Sequence, residues 1–138
     1  MATRQEQQAK DRFSERYREE RVDVVRTIER TVIGGDWGAN GYTTIAQADQ
    51  LGALLNLGQR SLVLDVGAGR GWPGLYLATT TGCSAVLTDV PMEGLSVARD
   101  RSRQDALGGR AWCVNANARD LPFRAATFDA VVHTDVLC

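Results

Sequence analysis

Apolar positions along the first third of the chain recur at helical spacing. From Gln5 to Ile33, Phe13, Tyr17, Val24 and Ile28 fall on one stripe, widened by Val25 and Val32, which predicts one long helix. The positions between them alternate Arg with Glu and Asp. Glu15, Glu19 and Asp23 sit one turn apart beside Arg12, Arg16, Arg26 and Arg30, a solvated face with i,i+4 pairs. Gly34 and Gly35 stop this helix, and the glycine-rich connector GDWGANGYTT follows. Thr44 and Gln47 have capping-box spacing, so a second helix runs from there through Leu57, with Gly58 at its end. Its stripe of Ile45, Ala48, Leu51, Leu54 and Leu55 is expected to face a core.

From Ser61 the pattern changes to short apolar runs separated by helical segments. Strands are expected at Leu62–Val66, Ala85–Thr88, Ala111–Val114 and Asp129–His133, with helices at Pro73–Thr80 and Met92–Leu107, the latter closed by Gly108 and Gly109. Such alternation reads as α/β, a parallel sheet with right-handed crossovers. The expected division is 1–43 as N-terminal helix and connector, and 44–138 as the α/β part.

The chemistry concentrates in LVLDVGAGRGWPG, Leu62 to Gly74. A strand carries an acid, Asp65, near its end and breaks into Gly67, Gly69 and Gly71. Glycine permits sharp turns and leaves no side chain between backbone and ligand. Pro73 suits the first turn of a helix, where its missing amide hydrogen would be unpaired anyway. The arrangement is a nucleotide-type site. Gly69, Gly71 and Gly74 also satisfy the dinucleotide spacing G-x-G-x-x-G, but the match starts late, after Gly67 and Ala68 have made the turn. Asp89 ends the next strand about 20 residues past the glycines, where a carboxylate accepts from ribose hydroxyls in such folds.

Asp65-x-Gly67-x-Gly69-x-Gly71 resembles the first motif of class I S-adenosylmethionine-dependent methyltransferases. Ala118 to Val132, with Leu-Pro-Phe at 121–123 and Phe-Asp-Ala-Val at 128–131, resembles the ubiquinone/menaquinone methyltransferase type. The resemblance departs at Asn117, where that family commonly has an Asp accepting from the adenine amino group. It implies a Rossmann-like three-layer sandwich, with the first strand beside the fourth and the cofactor over their carboxyl ends. It further implies S-adenosylmethionine as cofactor, with contacts from Asp65, Gly67, Ala68, Gly69, Gly71, Asp89, Val90, Asn117 and Ala118. Asp65 would face the cofactor's amino group, and Tyr42, with Thr43 and Trp37, would close over the site or anchor the loop. His133 and Asp135, at the end of the fourth strand, are candidates for a base or for contacts to the cofactor's methionine end. Such enzymes work mainly by proximity and alignment, with a base only where the acceptor must lose a proton.

Composition narrows the class without naming the acceptor. The 138 residues are 43% hydrophobic and 24% charged, which is globular rather than disordered. A net charge of −1 gives no electrostatic reason to expect nucleic acid or membrane binding. Nearly all cations are arginine, Lys10 being the one lysine. Cys83, Cys113 and Cys138 are widely spaced, without metal-ligand or disulfide patterning, and suit a reducing cytoplasm. No metal is expected, and the partner expected is a small-molecule substrate.

The chain stops at Cys138, just past the fourth expected strand, whereas complete folds of the class have about seven. The resemblance therefore covers an incomplete sheet. A truncated coding sequence, a fragment, and completion by self-association through an exposed Ala130–Val132 edge are the three alternatives. Three functions stand beside one another: a methyltransferase, a binding remnant that catalyses nothing, and an NAD(P)-dependent oxidoreductase. Asp65 and the Leu-Pro-Phe to Phe-Asp-Ala-Val segment argue against the last.

Overall fold

Strand β1 (Leu62–Val66) sits inside a four-stranded parallel sheet ordered β3-β2-β1-β4. Its neighbours are β2 (Ser84–Asp89) and β4 (Ala130–Val132), and β3 (Ala111–Asn115) lies beyond β2. The computed structural model describes residues 2–19 and 21–136. The helices before β1 are α1 (Arg4–Arg18), α2 (Asp23–Val32) and α3 (Ile45–Leu54), and the crossovers are α4 (Gly74–Thr81) and α5 (Met92–Gln104). This is the expected α/β Rossmann-like sheet, with the first strand beside the fourth.

Register assigns the two sheet faces. Val63 and Asp65 align with Ala85 and Leu87 on β2 and with Ala130 and Val132 on β4. Side chains alternate along a strand, so this set shares one face. α4 covers it over β1 and β2, and α5 covers it over β2 and β3. The core there comprises Val63, Leu75, Leu77, Ala85, Leu87, Leu95 and Val132, all buried. The alternate row across the sheet is Trp112, Val86, Leu64 and Val131. Leu64 and Val86 are buried, but the ends of the row are open, Trp112 at 46% and Val131 at 55% exposure. The expected exposed apolar run at Ala130–Val132 is therefore corrected. Ala130 and Val132 point into the core, and Val131 alone of the three is exposed.

The single long N-terminal helix is also corrected. The backbone turns extended at Glu19 (ψ 131°) and Val22 (ψ 154°), which ends α1 and starts α2 in a new direction. Buried polar groups account for the break. The Arg21 side chain tucks in to pair with Glu29 and, at 2.6 Å, with Asp36. Glu29 also accepts the Trp37 amide at 2.7 Å and the Ala39 amide at 3.2 Å. A continuous helix would carry Glu29 away from these donors. The break leaves Val24, Val25, Ile28 and Val32 exposed, so the predicted stripe divides. Ser14 and Tyr17 of α1 are buried instead, where α1 packs on α5.

Two helix ends fall earlier than the glycines suggested. α3 has the predicted capping box between Thr44 and Gln47 but ends at Leu54, and Asn56 takes the left-handed turn at φ 50°. Leu54 and Leu55 are exposed as a result, while Ala48 keeps its place in the core. α5 ends at Gln104, with Ala106 at φ 54°, and Leu107 folds back into the core. Among the described residues, no helix is long and apolar enough to cross a membrane.

Candidate functional site

The glycine loop is pinned to the end of β2. Gly67 and Ala68 both donate their amides to the Thr88 carbonyl, at 2.8 and 3.0 Å. Gly69 then donates to the Asp89 carboxylate at 2.7 Å, and Val90 donates to the other carboxylate oxygen at 2.7 Å. Gly67 and Gly69 have φ of 74° and 52°, conformations that side chains resist. The loop therefore presents bare backbone to a cleft of about 450 Å³. Each Asp89 oxygen has one backbone donor and retains capacity for another. Burial raises the Asp89 pKa above the ordinary carboxylate value, against the two amide donors that lower it.

Several predicted residues meet in that cleft: Gly67, Ala68, Gly69, Asp89 and Asp135 line it. Asp135 reaches across to Thr43, accepting from its hydroxyl at 2.8 Å and its amide at 3.2 Å. Contact is so close at Gly41 that any Cβ there would overlap the Asp135 side chain.

Asp65 is placed elsewhere, which corrects the expectation that its carboxylate faces a ligand. Strand alternation puts it on the core side with Val63, beneath the loop, fully buried. One oxygen accepts the Gly74 amide at 2.8 Å at the start of α4, and the other has no partner. Burial pushes its pKa well up, and the Asp89 charge adds to this. Gly71, at φ 100°, faces the same interior, and a Cβ there would strike Leu75.

Tyr42, Val90, Asn117, Ala118 and His133 do not line the cleft. Tyr42 is 81% exposed. Asn117 is exposed in a turn, its side-chain oxygen accepting the Arg119 amide at 3.0 Å. His133 is exposed just past β4. Trp37 anchors the connector, packing against Trp72 and Tyr76 with each pair of ring centroids 5.4 Å apart. Arg101 lies over the Trp37 ring at 5.3 Å.

Part of the lining comes from residues the motif reading passed over. Arg12, Phe13, Arg16 and Tyr17 of α1, with Asn40 of the connector, also line the cleft. Arg70 fastens this part: it donates to the Arg16 and Tyr17 carbonyls at 2.9 and 3.2 Å and lies over the Tyr17 ring at 5.3 Å. A cation suits that end of a helix, where carbonyls lack amide partners. Burial raises the Tyr17 pKa, the Asp89 charge adds to it, and the Asn40 amide opposes both. The one sequence sign of this lining was the helical spacing of Phe13 and Tyr17, which predicts burial but not the partner.

Cys83 and Cys113 are free thiols, and Cys138 lies outside the described residues. Among the described residues no cluster of His, Cys, Asp and Glu could hold a metal ion.

The family described as "Methyltransferase domain" matches residues 63–138. The chain is 37% identical over 83 residues to Methyltransferase GfsG of Streptomyces halstedii, covering 60% of this chain and 30% of that protein. It is 38% identical over 86 residues to the ubiquinone/menaquinone biosynthesis C-methyltransferase UbiE of Sinorhizobium fredii, covering 59% of this chain and 33% of that protein. The chain thus spans about a third of the length of these curated relatives. A solved SAM-dependent methyltransferase from Thiobacillus denitrificans, in complex with S-adenosyl-L-homocysteine, shares the fold. Its TM-score is 0.61 at 18% identity, over 83% of this chain and 44% of that one.

Proposed function

The chain belongs to the methyltransferase domain family, and from that premise we propose that it binds S-adenosylmethionine in the cleft above the glycine loop and serves methyl transfer to a small-molecule acceptor. The observation that carries this reading is the Asp89 carboxylate, held by the Gly69 and Val90 amides at the edge of the cleft. Its spare acceptor positions suit the paired hydroxyls of a ribose. Gly67, Ala68 and Gly69 give close backbone approach, which a ligand without phosphate needs more than it needs positive charge. The cleft volume is within the range of small-ligand sites.

The bound cofactor supplies an electrophilic methyl group on a sulfonium. The chain's own part is to orient: Asp89 fixes the nucleoside, and the glycine loop sets the depth of binding. Asp65 acts from below, joining β1 to the first turn of α4 and so holding the loop between them. Asp135, tied to Thr43, stands at the cleft mouth and is the candidate there for accepting a proton from an acceptor. His133 is assigned no step. Residues 44–138 form the methyltransferase part in this reading, residues 1–43 its cover, and the cytoplasm its setting.

A second reading, in which the chain binds the cofactor and copies associate through the open ends of the Trp112-to-Val131 row, is favoured by the exposure of both end residues.

Side-by-side calorimetric titrations with S-adenosylmethionine, S-adenosylhomocysteine and NAD test the cofactor. Tighter binding of either sulfur compound is expected, and preference for NAD overturns the proposal. Release of S-adenosylhomocysteine in a methyl-transfer assay separates the enzyme from the binding reading.

A further inference from the structure

The pairing of β2 with β3 ends at Asp89, which stands in register with Asn115, the last residue of β3. The Asn115 side chain reaches back across that end. Its amide donates to the Asp89 carbonyl at 2.9 Å and to the Val90 carbonyl at 2.7 Å. The Ala116 backbone amide adds a further bond to the Asp89 carbonyl at 3.2 Å. One side chain thus holds two successive carbonyls at the point where β2 gives way to the turn before α5.

These bonds bear on the Asp89 carboxylate through the peptide between residues 89 and 90. In a trans peptide the carbonyl and the amide hydrogen share a plane and point opposite ways. Drawing the Asp89 carbonyl towards Asn115 therefore turns the Val90 amide away from Asn115, and that amide is the one that grips Asp89 Oδ1 at 2.7 Å. The Gly69 amide holds Oδ2, also at 2.7 Å. Two grips fix the plane of a carboxylate, whereas one leaves it free to swing. Asn115 itself does not line the cleft and borders a separate hollow with Met92, Leu95 and Cys113. Its effect on a ligand in the cleft passes through Asp89. We infer that Asn115 is a positioning residue: it fixes the Val90 amide, so that the Asp89 carboxylate stands in the plane needed to accept from both ribose hydroxyls. The inference rests on the cofactor reading proposed above, with Asp89 as the ribose acceptor.

Calorimetric titration of the full chain with S-adenosylhomocysteine and with its 2′,3′-dideoxy analogue, which lacks both ribose hydroxyls, tests it. Asn115→Ala should lose about threefold to tenfold in S-adenosylhomocysteine affinity, the scale of one net hydrogen bond, while the dideoxy analogue stays within about twofold. A general disturbance of the sheet end would weaken both ligands alike, so equal losses overturn the inference, as does no loss in either. In an Asp89→Ala background the same substitution should change S-adenosylhomocysteine affinity by less than about twofold, and additive losses overturn the inference. Asn115 is exposed; circular dichroism checks folding, and Asn115→Ser is carried through the same titrations as a second variant. Equal affinity of the unchanged chain for the two ligands takes the ribose away from Asp89 and overturns the inference while the cofactor stands. If the unchanged chain binds neither ligand, the cofactor reading falls and the inference with it.

Discussion

The Tyr17 hydroxyl occupies the space that a side chain at Gly69 would need: a Cβ built there lies 2.7 Å from the phenol oxygen. One residue comes from the N-terminal helix and the other from the loop after β1, and both line the cleft. A side chain at residue 69 must displace Tyr17 or strain the backbone, which has φ of 52°.

Gly69→Ala is therefore expected to destabilise the fold by about 1–2 kcal/mol from left-handed strain alone, and further from the Tyr17 clash. It should also weaken S-adenosylhomocysteine binding. Urea unfolding and titration of the same preparation read the two effects, and normal stability with normal binding would remove the loop from the site.

Asp89→Ala removes the acceptor that the Gly69 and Val90 amides share. A loss of about 1.5–3 kcal/mol in cofactor affinity is expected, the range for a hydrogen bond to a charged group. Unchanged affinity by calorimetry would place the ribose elsewhere.

Asp65 makes stability depend on pH. Its buried carboxyl has a raised pKa, so the folded chain retains a proton that the unfolded chain has released. The Asp65 contribution to stability is then fully present below the unfolded value near 3.8 and is lost as pH rises through the native value. Asp65→Asn keeps an acceptor for the Gly74 amide and cannot ionise. Its stability relative to the unchanged chain should rise with pH across that window. Parallel denaturation curves at several pH values test this, and a constant difference would refute it.

Glu29→Ala should cost about 3–5 kcal/mol, because it leaves Arg21 without one carboxylate partner in a largely buried site. The Trp37 and Ala39 amides lose their acceptor at the same time. A chemical denaturation midpoint unchanged from the parent would show that the connector holds without this pair.

Val131→Lys puts a charge at the open end of the Trp112, Val86, Leu64 row. If copies associate through that row, analytical ultracentrifugation should show the variant shifted towards monomer. An identical distribution for parent and variant would exclude that surface.

The sequence by itself determined the elements from Ser61 onward. Short apolar runs, glycines at the turn and acids at residues 65 and 89 are local signals, and each strand was found within about two residues of its expected ends. The capping box at Thr44 and Gln47 was legible for the same reason, since both partners lie within one turn. Only the tertiary structure decided where side chains with two possible neighbours would go. Phe13, Tyr17, Val24 and Ile28 share one helical stripe, yet the break at Glu19–Val22 buries Tyr17 and leaves Val24 and Ile28 exposed. That break comes from Arg21 and Glu29 meeting connector groups, contacts that periodicity does not encode. Asp65 looked like a ligand contact because it precedes the glycines, but strand alternation and the α4 amide turned it inward. The cleft wall of Arg12, Arg16, Tyr17 and Asn40 was hidden for a related reason. Those residues become neighbours of Gly69 through the packing of α1 on α5 and the hold of Arg70, across more than fifty residues of chain for Tyr17.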